Sequence, residues 1–150
     1  HKVFTLAELS ARHEVRLENY CKVINIEALT MLDMVRKDIL PAMSTYSSGL
    51  SRAAAEKTAL LVDADVSYEK DTVKSLCALM GETYRNVKKL EDDLLAAKAV
   101  TDMAELADVY KTTVLEDMRA LRISVDEMET VASSEAWPYP SYGDLLFGVR

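Results

Sequence analysis

Glycine is scarce in this 150-residue sequence, at four residues, and proline scarcer still, at three. Both break regular structure, so a chain this poor in them has little material for the turns of a sandwich, a barrel or a doubly wound sheet. The four glycines, Gly49, Gly81, Gly143 and Gly148, never cluster, which excludes a glycine-rich phosphate loop. Cysteine occurs twice, as Cys21 and Cys77. Neither a disulfide framework nor zinc-type ligand spacing can be drawn from such a pair, which reads as two small apolar residues in a reducing compartment. His13 is the only histidine beyond position 1, so no serine–histidine or cysteine–histidine set can be assembled with spare members. Ser10, not Glu, stands three residues before His13, which removes the Glu-x-x-His signature of a di-iron bundle. No apolar run approaches the roughly 20 residues of a membrane span. With a net charge of −7 and no basic run, nucleic acid is excluded as a partner and anionic membrane surfaces repel the chain. The chain opens on His1, not Met, which fits a processed product or a piece of something larger.

What is present is helix-forming. Hydrophobic residues make up 49% of the chain and charged residues 29%, values that suit a single globular domain of all-α class. Thr5 and Glu8 have the spacing of a capping box. From there Leu17, Tyr20, Ile24, Ala28, Met31, Val35, Ile39, Ala42 and Tyr46 recur every three or four residues, the period of one helix face. The stripe runs past Pro41, so a helix over about 5–62, kinked at the proline, explains it better than a stop; a break at Ser47-Ser48-Gly49 is the alternative. The second helix is expected over about 68–99, after a connection capped by Asp65 or Ser67, with Val73, Leu76, Met80, Tyr84, Val87, Leu90, Leu94 and Ala97 facing inward. The third is expected over about 102–133, entered through Thr101-Asp102 with Glu105 three residues on. Its stripe runs through Leu106, Val109, Tyr110, Val114, Met118, Leu121, Val125, Met128 and Val131. The second and third helices match in length as an antiparallel pair. The first is almost twice as long, so it either bends to fill two positions or projects with an apolar face that something else must cover. The domain division is therefore a bundle over 1–136 and a C-terminal strap over 137–150.

The strap, Trp137-Pro138-Tyr139-Pro140-Ser141-Tyr142-Gly143-Asp144-Leu145-Leu146-Phe147, holds the only Trp of the chain. Pro138 and Pro140 fix its backbone in extended geometry. It is too apolar for a free tail and lies either against its own bundle or against another domain or subunit. Its contact candidates are Trp137, Pro138, Tyr139, Pro140, Tyr142, Leu145, Leu146 and Phe147. Glu27 is a further candidate. On a helical projection it falls among Met31, Met34, Ile24 and Val23, where a carboxylate needs a partner or a raised pKa; it is either a satisfied ion pair, a carboxylate that reaches solvent, or a contact to a partner domain. Arg122 and Asp126 are spaced as an ion pair on a solvated face. No catalytic, cofactor-binding or metal-ligating residue is assigned within the chain.

Several stretches resemble a known family. Val3-Phe4-Thr5-x-x-Glu8-Leu9 with Arg12-x-Glu14, then Glu18-Asn19-Tyr20-x-Lys22-x-Ile24-Asn25-Ile26-Glu27-Ala28-Leu29-Thr30-Met31, then Ile39-Leu40-Pro41-Ala42 are similar to the C-terminal helical region of type III glutamine synthetases. Met118-x-x-Leu121-Arg122, Asp126-x-x-Glu129 and the Trp137–Phe147 strap are similar to the same family. The middle, about 52–105, matches only in helical character. The resemblance implies a non-catalytic domain of a cytoplasmic enzyme that joins ammonia to glutamate, with ATP and Mg2+ held elsewhere in the intact protein. It implies the catalytic domain of the same polypeptide and neighbouring subunits as partners, in a homo-oligomer. The alternative is a free-standing helical-bundle adaptor or scaffold.

Overall fold

The computed structural model describes residues 4–140 and 142–148, with the side chains of Tyr142 and Gly143 outside that description. Among the described residues 84% are helical and no strand is present. The order is α1 (Leu6–Met34), a π-helical segment (Val35–Ile39), α2 (Leu40–Leu60), α3 (Ser67–Ala97), α4 (Met103–Val109), a second π segment (Tyr110–Val114), α5 (Leu115–Val131) and α6 (Tyr142–Phe147).

Local chemistry accounts for the helix ends. The Thr5 N–H donates to Glu8 Oε2 at 2.7 Å and the Glu8 N–H to Thr5 Oγ1 at 3.2 Å, satisfying two free donors reciprocally. Asp65 Oδ1 accepts the Ser67 N–H at 2.9 Å at the start of α3. Asp102 caps α4 by accepting the Glu105 N–H at 2.9 Å. Residues 98–102 form the turn between α3 and α4.

Helix runs from Leu6 to Leu60 without a coil residue, through both Pro41 and Gly49. An interior proline has no N–H to donate four residues back. Pro41 stands in the first turn of α2, and the Leu40 N–H reaches the Val35 carbonyl, five residues earlier. The π turn thus carries the helix into the proline.

The chain divides into two compact units. The first combines residues 1–32 with Asn86–Leu121, and its core includes Cys21, Ile24, Ala28, Val87, Leu90, Leu94, Tyr110, Val114 and Leu121. The second combines Asp33–Arg85 with Arg122–Arg150, and its core includes Val35, Ile39, Met43, Val66, Leu76 and Met128. Inside it the buried Thr83 hydroxyl donates to Ser124 Oγ at 3.0 Å, so a polar pair joins two helices within the core. Tyr84, expected on the inner face, is exposed, and Thr83 takes that place.

The strap is not extended throughout. Residues 137–140, between the two prolines, are irregular, but Tyr142–Phe147 is a short helix. Beyond Pro140 no proline remains to prevent it, and Asp144 in the first turn favours the positive helix end.

Candidate interaction surface

Helix α1 carries apolar residues on two sides. One side is the buried stripe of Cys21, Ile24, Ala28 and Leu32. The other bears Val15, Tyr20, Val23, Ile26 and Leu29, all exposed, with Ile26 63% accessible. Ahead of them every residue from Phe4 to Arg16 is exposed, Leu6 at 87%. The α3–α4 turn explains this, because Lys98 and Val100 line the same cleft as Glu18, Cys21 and Lys22. From Phe4 to Arg16 no residue of α1 or its cap is buried or half-buried. Their helix is held by the capping box and by local contacts such as the Arg12 guanidinium 4.3 Å above the Phe4 ring. A helix apolar on both sides is the pattern of one enclosed in a larger body.

Glu27 lies on this outer side, exposed, and not on the inner one. The projection misled because Met31 and Met34, which flank it, are the half-buried and exposed edge of the stripe; the inner face centres on Ala28 and Leu32.

One internal contact of the strap reaches far along the sequence. The Tyr139 hydroxyl donates to Asp38 Oδ2 at 2.6 Å, and that hydrogen bond to a carboxylate pushes the phenol up to about 12. Trp137 is half-buried, its backbone N–H donating to the Ser133 carbonyl at 3.1 Å. It lines a cleft of about 150 Å³ with Glu129, Ala132 and Tyr139. Pro138 and Pro140 are exposed. Leu145, Leu146 and Phe147 are exposed at 70%, 69% and 83%, so α6 presents its apolar residues outward. The Tyr142 side chain falls outside the described residues. Asp38, which ties the strap down, is a residue that spacing alone did not single out, since its partner stands 101 residues further along the chain.

A charged cluster also escaped the sequence reading. Lys89 on α3 forms ion pairs with Asp93, at 2.9 Å, and with Asp117 on α5. Asp117 is buried and its Oδ2 is enclosed without a donor. Burial pushes its carboxyl above the usual carboxylate range, and the neighbouring Asp93 carboxyl adds to that rise, while Asp93 itself is held low. The Lys57–Glu69 ion pair ties α2 to α3, and its hydrogen bond holds the Glu69 carboxyl low. Arg122 and Asp126 pair at 3.3 Å with both side chains exposed. Among the described residues no group of three or more His, Cys, Asp or Glu is placed to hold a metal ion, and no helix is long and apolar enough to cross a membrane.

The family model described as the glutamine synthetase C-terminal domain matches residues 1–59. A glutamine synthetase of Butyrivibrio fibrisolvens is 38% identical over 150 residues, covering 100% of this chain and 21% of the relative. A glutamine synthetase of Bacteroides fragilis (strain YCH46) is 26% identical, over 97% of this chain and 21% of its own length. A type-3 glutamine synthetase of Dictyostelium discoideum is 24% identical, over 97% and 20%. The chain therefore spans about a fifth of the length of the curated relatives it matches.

Proposed function

We propose that this chain, a C-terminal domain of the glutamine synthetase family, serves packing and assembly inside a longer polypeptide of the type III kind. The single observation that carries this reading is the apolar outer side of α1. Val15, Tyr20, Val23, Ile26 and Leu29 lie exposed on a helix whose opposite side is already buried. Exposed apolar area of that extent is stabilised only by a covering surface. The outward-facing Leu145, Leu146 and Phe147 of α6 add a second place for such contact.

In this reading the longer polypeptide joins ammonia to glutamate at the expense of ATP, with Mg2+, in the cytoplasm, as a homo-oligomer. The sequence has no glycine-rich loop, and among the described residues no group of three or more His, Cys, Asp or Glu is placed to hold a metal ion, so no catalytic step is assigned to them. The groups that bind substrate and metal belong to the remainder of the polypeptide.

Deleting this domain from the longer polypeptide is expected to yield a product that sediments as smaller species or precipitates. Supplying the 150-residue chain in trans restores the native size at least in part. The chain alone forms no glutamine. A truncated polypeptide with unchanged sedimentation and turnover contradicts the reading, as does measurable turnover by the chain alone.

A further inference from the structure

We propose that the outer strip of α1 pairs with the same strip of a second copy of this chain, antiparallel, about a two-fold axis at the level of Cys21 and Lys22. The proposal rests on the reading above that this side of α1 is covered, and it names what covers the edge that bears Tyr20 and Val23; Val15, Ile26 and Leu29 lie outside the strip.

At about 100° per residue, His13, Arg16, Tyr20, Val23, Glu27 and Thr30 fall within one strip about 100° wide. Their spacings alternate three and four, the seam spacing of paired helices. All six are exposed. The strip reads the same from either end under reversal. Tyr20 then lies beside Val23 of the second copy, at the centre. Arg16 lies beside Glu27 of the second copy, twice by symmetry. His13 lies beside Thr30, at the polar edges.

The charges are what select the second copy. Arg16 and Glu27 make no ion pair with any described residue of their own chain, whereas Glu18 pairs with Lys22 at 2.6 Å and Asp33 with Lys37 at 2.5 Å on the same helix. No opposite charge stands three or four residues from either Arg16 or Glu27 along α1. The two residues are eleven positions apart, about 16 Å along the axis at about 1.5 Å per residue, too far to meet each other. Reversal by a two-fold axis brings each to its opposite. Parallel pairing instead sets Arg16 on Arg16 and Glu27 on Glu27, which is repulsive, so the same two charges reject the wrong orientation. The small apolar centre, Tyr20 and Val23, supplies the contact that the charges orient.

The test is sedimentation of the full 150-residue chain across concentration, with circular dichroism as the check on folding. The wild-type chain is expected to dimerise. Arg16→Glu and Glu27→Arg, each placing like charges together twice, weaken dimerisation by about tenfold or more. The double variant R16E/E27R restores it to within about threefold of wild type, because the pairs re-form with their signs exchanged. Arg16→Gln and Glu27→Gln, which remove charge without reversing it, give smaller shifts in the same direction. A wild-type chain that stays monomeric overturns the proposal, as does a double variant that stays as weak as the singles. If the strip instead packs on the remainder of the same polypeptide, the reversals lower the yield of the longer protein and the double variant gives no rescue. That result removes the second copy but leaves the assembly role intact. Unchanged size after deletion of the whole domain removes the assembly role itself.

Discussion

Replacing Leu90 with alanine is expected to lower the stability of the chain by about 3 kcal/mol, within the range of about 2–5 for fully buried leucines. Leu90 is wholly inaccessible, and with Val87, Leu94 and Ala97 it forms the inner face of the second half of α3. The loss has two parts. Burial of the removed methylenes no longer contributes, and the cavity left behind deprives its lining of contacts. For a chain of this size each kcal/mol lowers the midpoint of thermal unfolding by about 2–4 °C, so the shift should reach about 6–12 °C by calorimetry. Leu29→Ala is the matched control. Leu29 stands 52% exposed on the outer side of α1, and its loss is expected to move stability of the isolated chain by no more than about 0.5 kcal/mol. Equal effects at the two positions would mean that the inner and outer sides of these helices are wrongly assigned.

Replacing Lys89 with methionine is expected to cost about 1–3 kcal/mol near neutral pH. The butyl stem is kept, so the change isolates the charge. Asp117 is then left buried beside Asp93 with no cation, and an unpartnered buried carboxylate is more expensive than an exposed one. Because the Lys89 ammonium itself is largely exposed, the cost stays below that of breaking a fully enclosed pair. The pH dependence carries the mechanism. Asp93 is lowered by its hydrogen bonds to Asp117 and Lys89, so its contribution is present above its unfolded value and is lost as pH falls through the folded one. Asp117 is raised by burial. Its protonated form favours the fold below its unfolded value, and that advantage disappears as pH rises through the folded one. Removing Lys89 therefore costs most where both carboxyls are ionised and least in acid, where both are protonated. Asp117→Asn in the same background should suppress the cost of losing Lys89. Denaturant unfolding of the wild type, the two single variants and the double variant at two pH values measures the coupling. A cost that is the same at both pH values, or one that Asp117→Asn leaves undiminished, would show that the cluster is not electrostatically coupled.

The helices were legible because their apolar residues repeat at three and four over long stretches, and because Thr5-x-x-Glu8 and Asp102-x-x-Glu105 carry their own capping chemistry. The turn at 98–102 has no glycine or proline to mark it and the apolar register can be drawn straight through, so it was expected mainly because a continuous rod would leave the stripes little to pack against. The passage through Pro41 was legible only in part. The stripe required continuity, but a stripe does not say that a π turn will deliver it. Periodicity also failed wherever polar residues occupy inner positions. Thr83, Ser124 and Asp117 are buried because each finds a partner on another helix, and no local pattern encodes such a partner. The bulkier Tyr84 beside Thr83 drew the stripe to the wrong residue.

The surface was harder to read than the core. Glu27 was noticed for its apolar neighbours, and its exposure fits the reading of a carboxylate that reaches solvent; a projection alone does not say which of two apolar arcs another helix covers. The aromatic content of the strap signalled contact, and Tyr139 finds it on Asp38. Its second half folds as α6 because the constraint of Pro138 and Pro140 does not extend past Ser141. Leu145, Leu146 and Phe147 then point outward, where the sequence pattern offered no reason to separate them from Trp137.

The account depends on the outer side of α1 being covered in the longer polypeptide. Hydroxyl-radical footprinting of Tyr20, Ile26 and Leu29, in the dilute 150-residue chain and in the longer polypeptide, tests this most directly. All three side chains should be modified readily in the dilute chain and protected severalfold in the longer protein, while Tyr84, exposed on α3, serves as the reference. Modification of the three at equal rates in both would contradict the account.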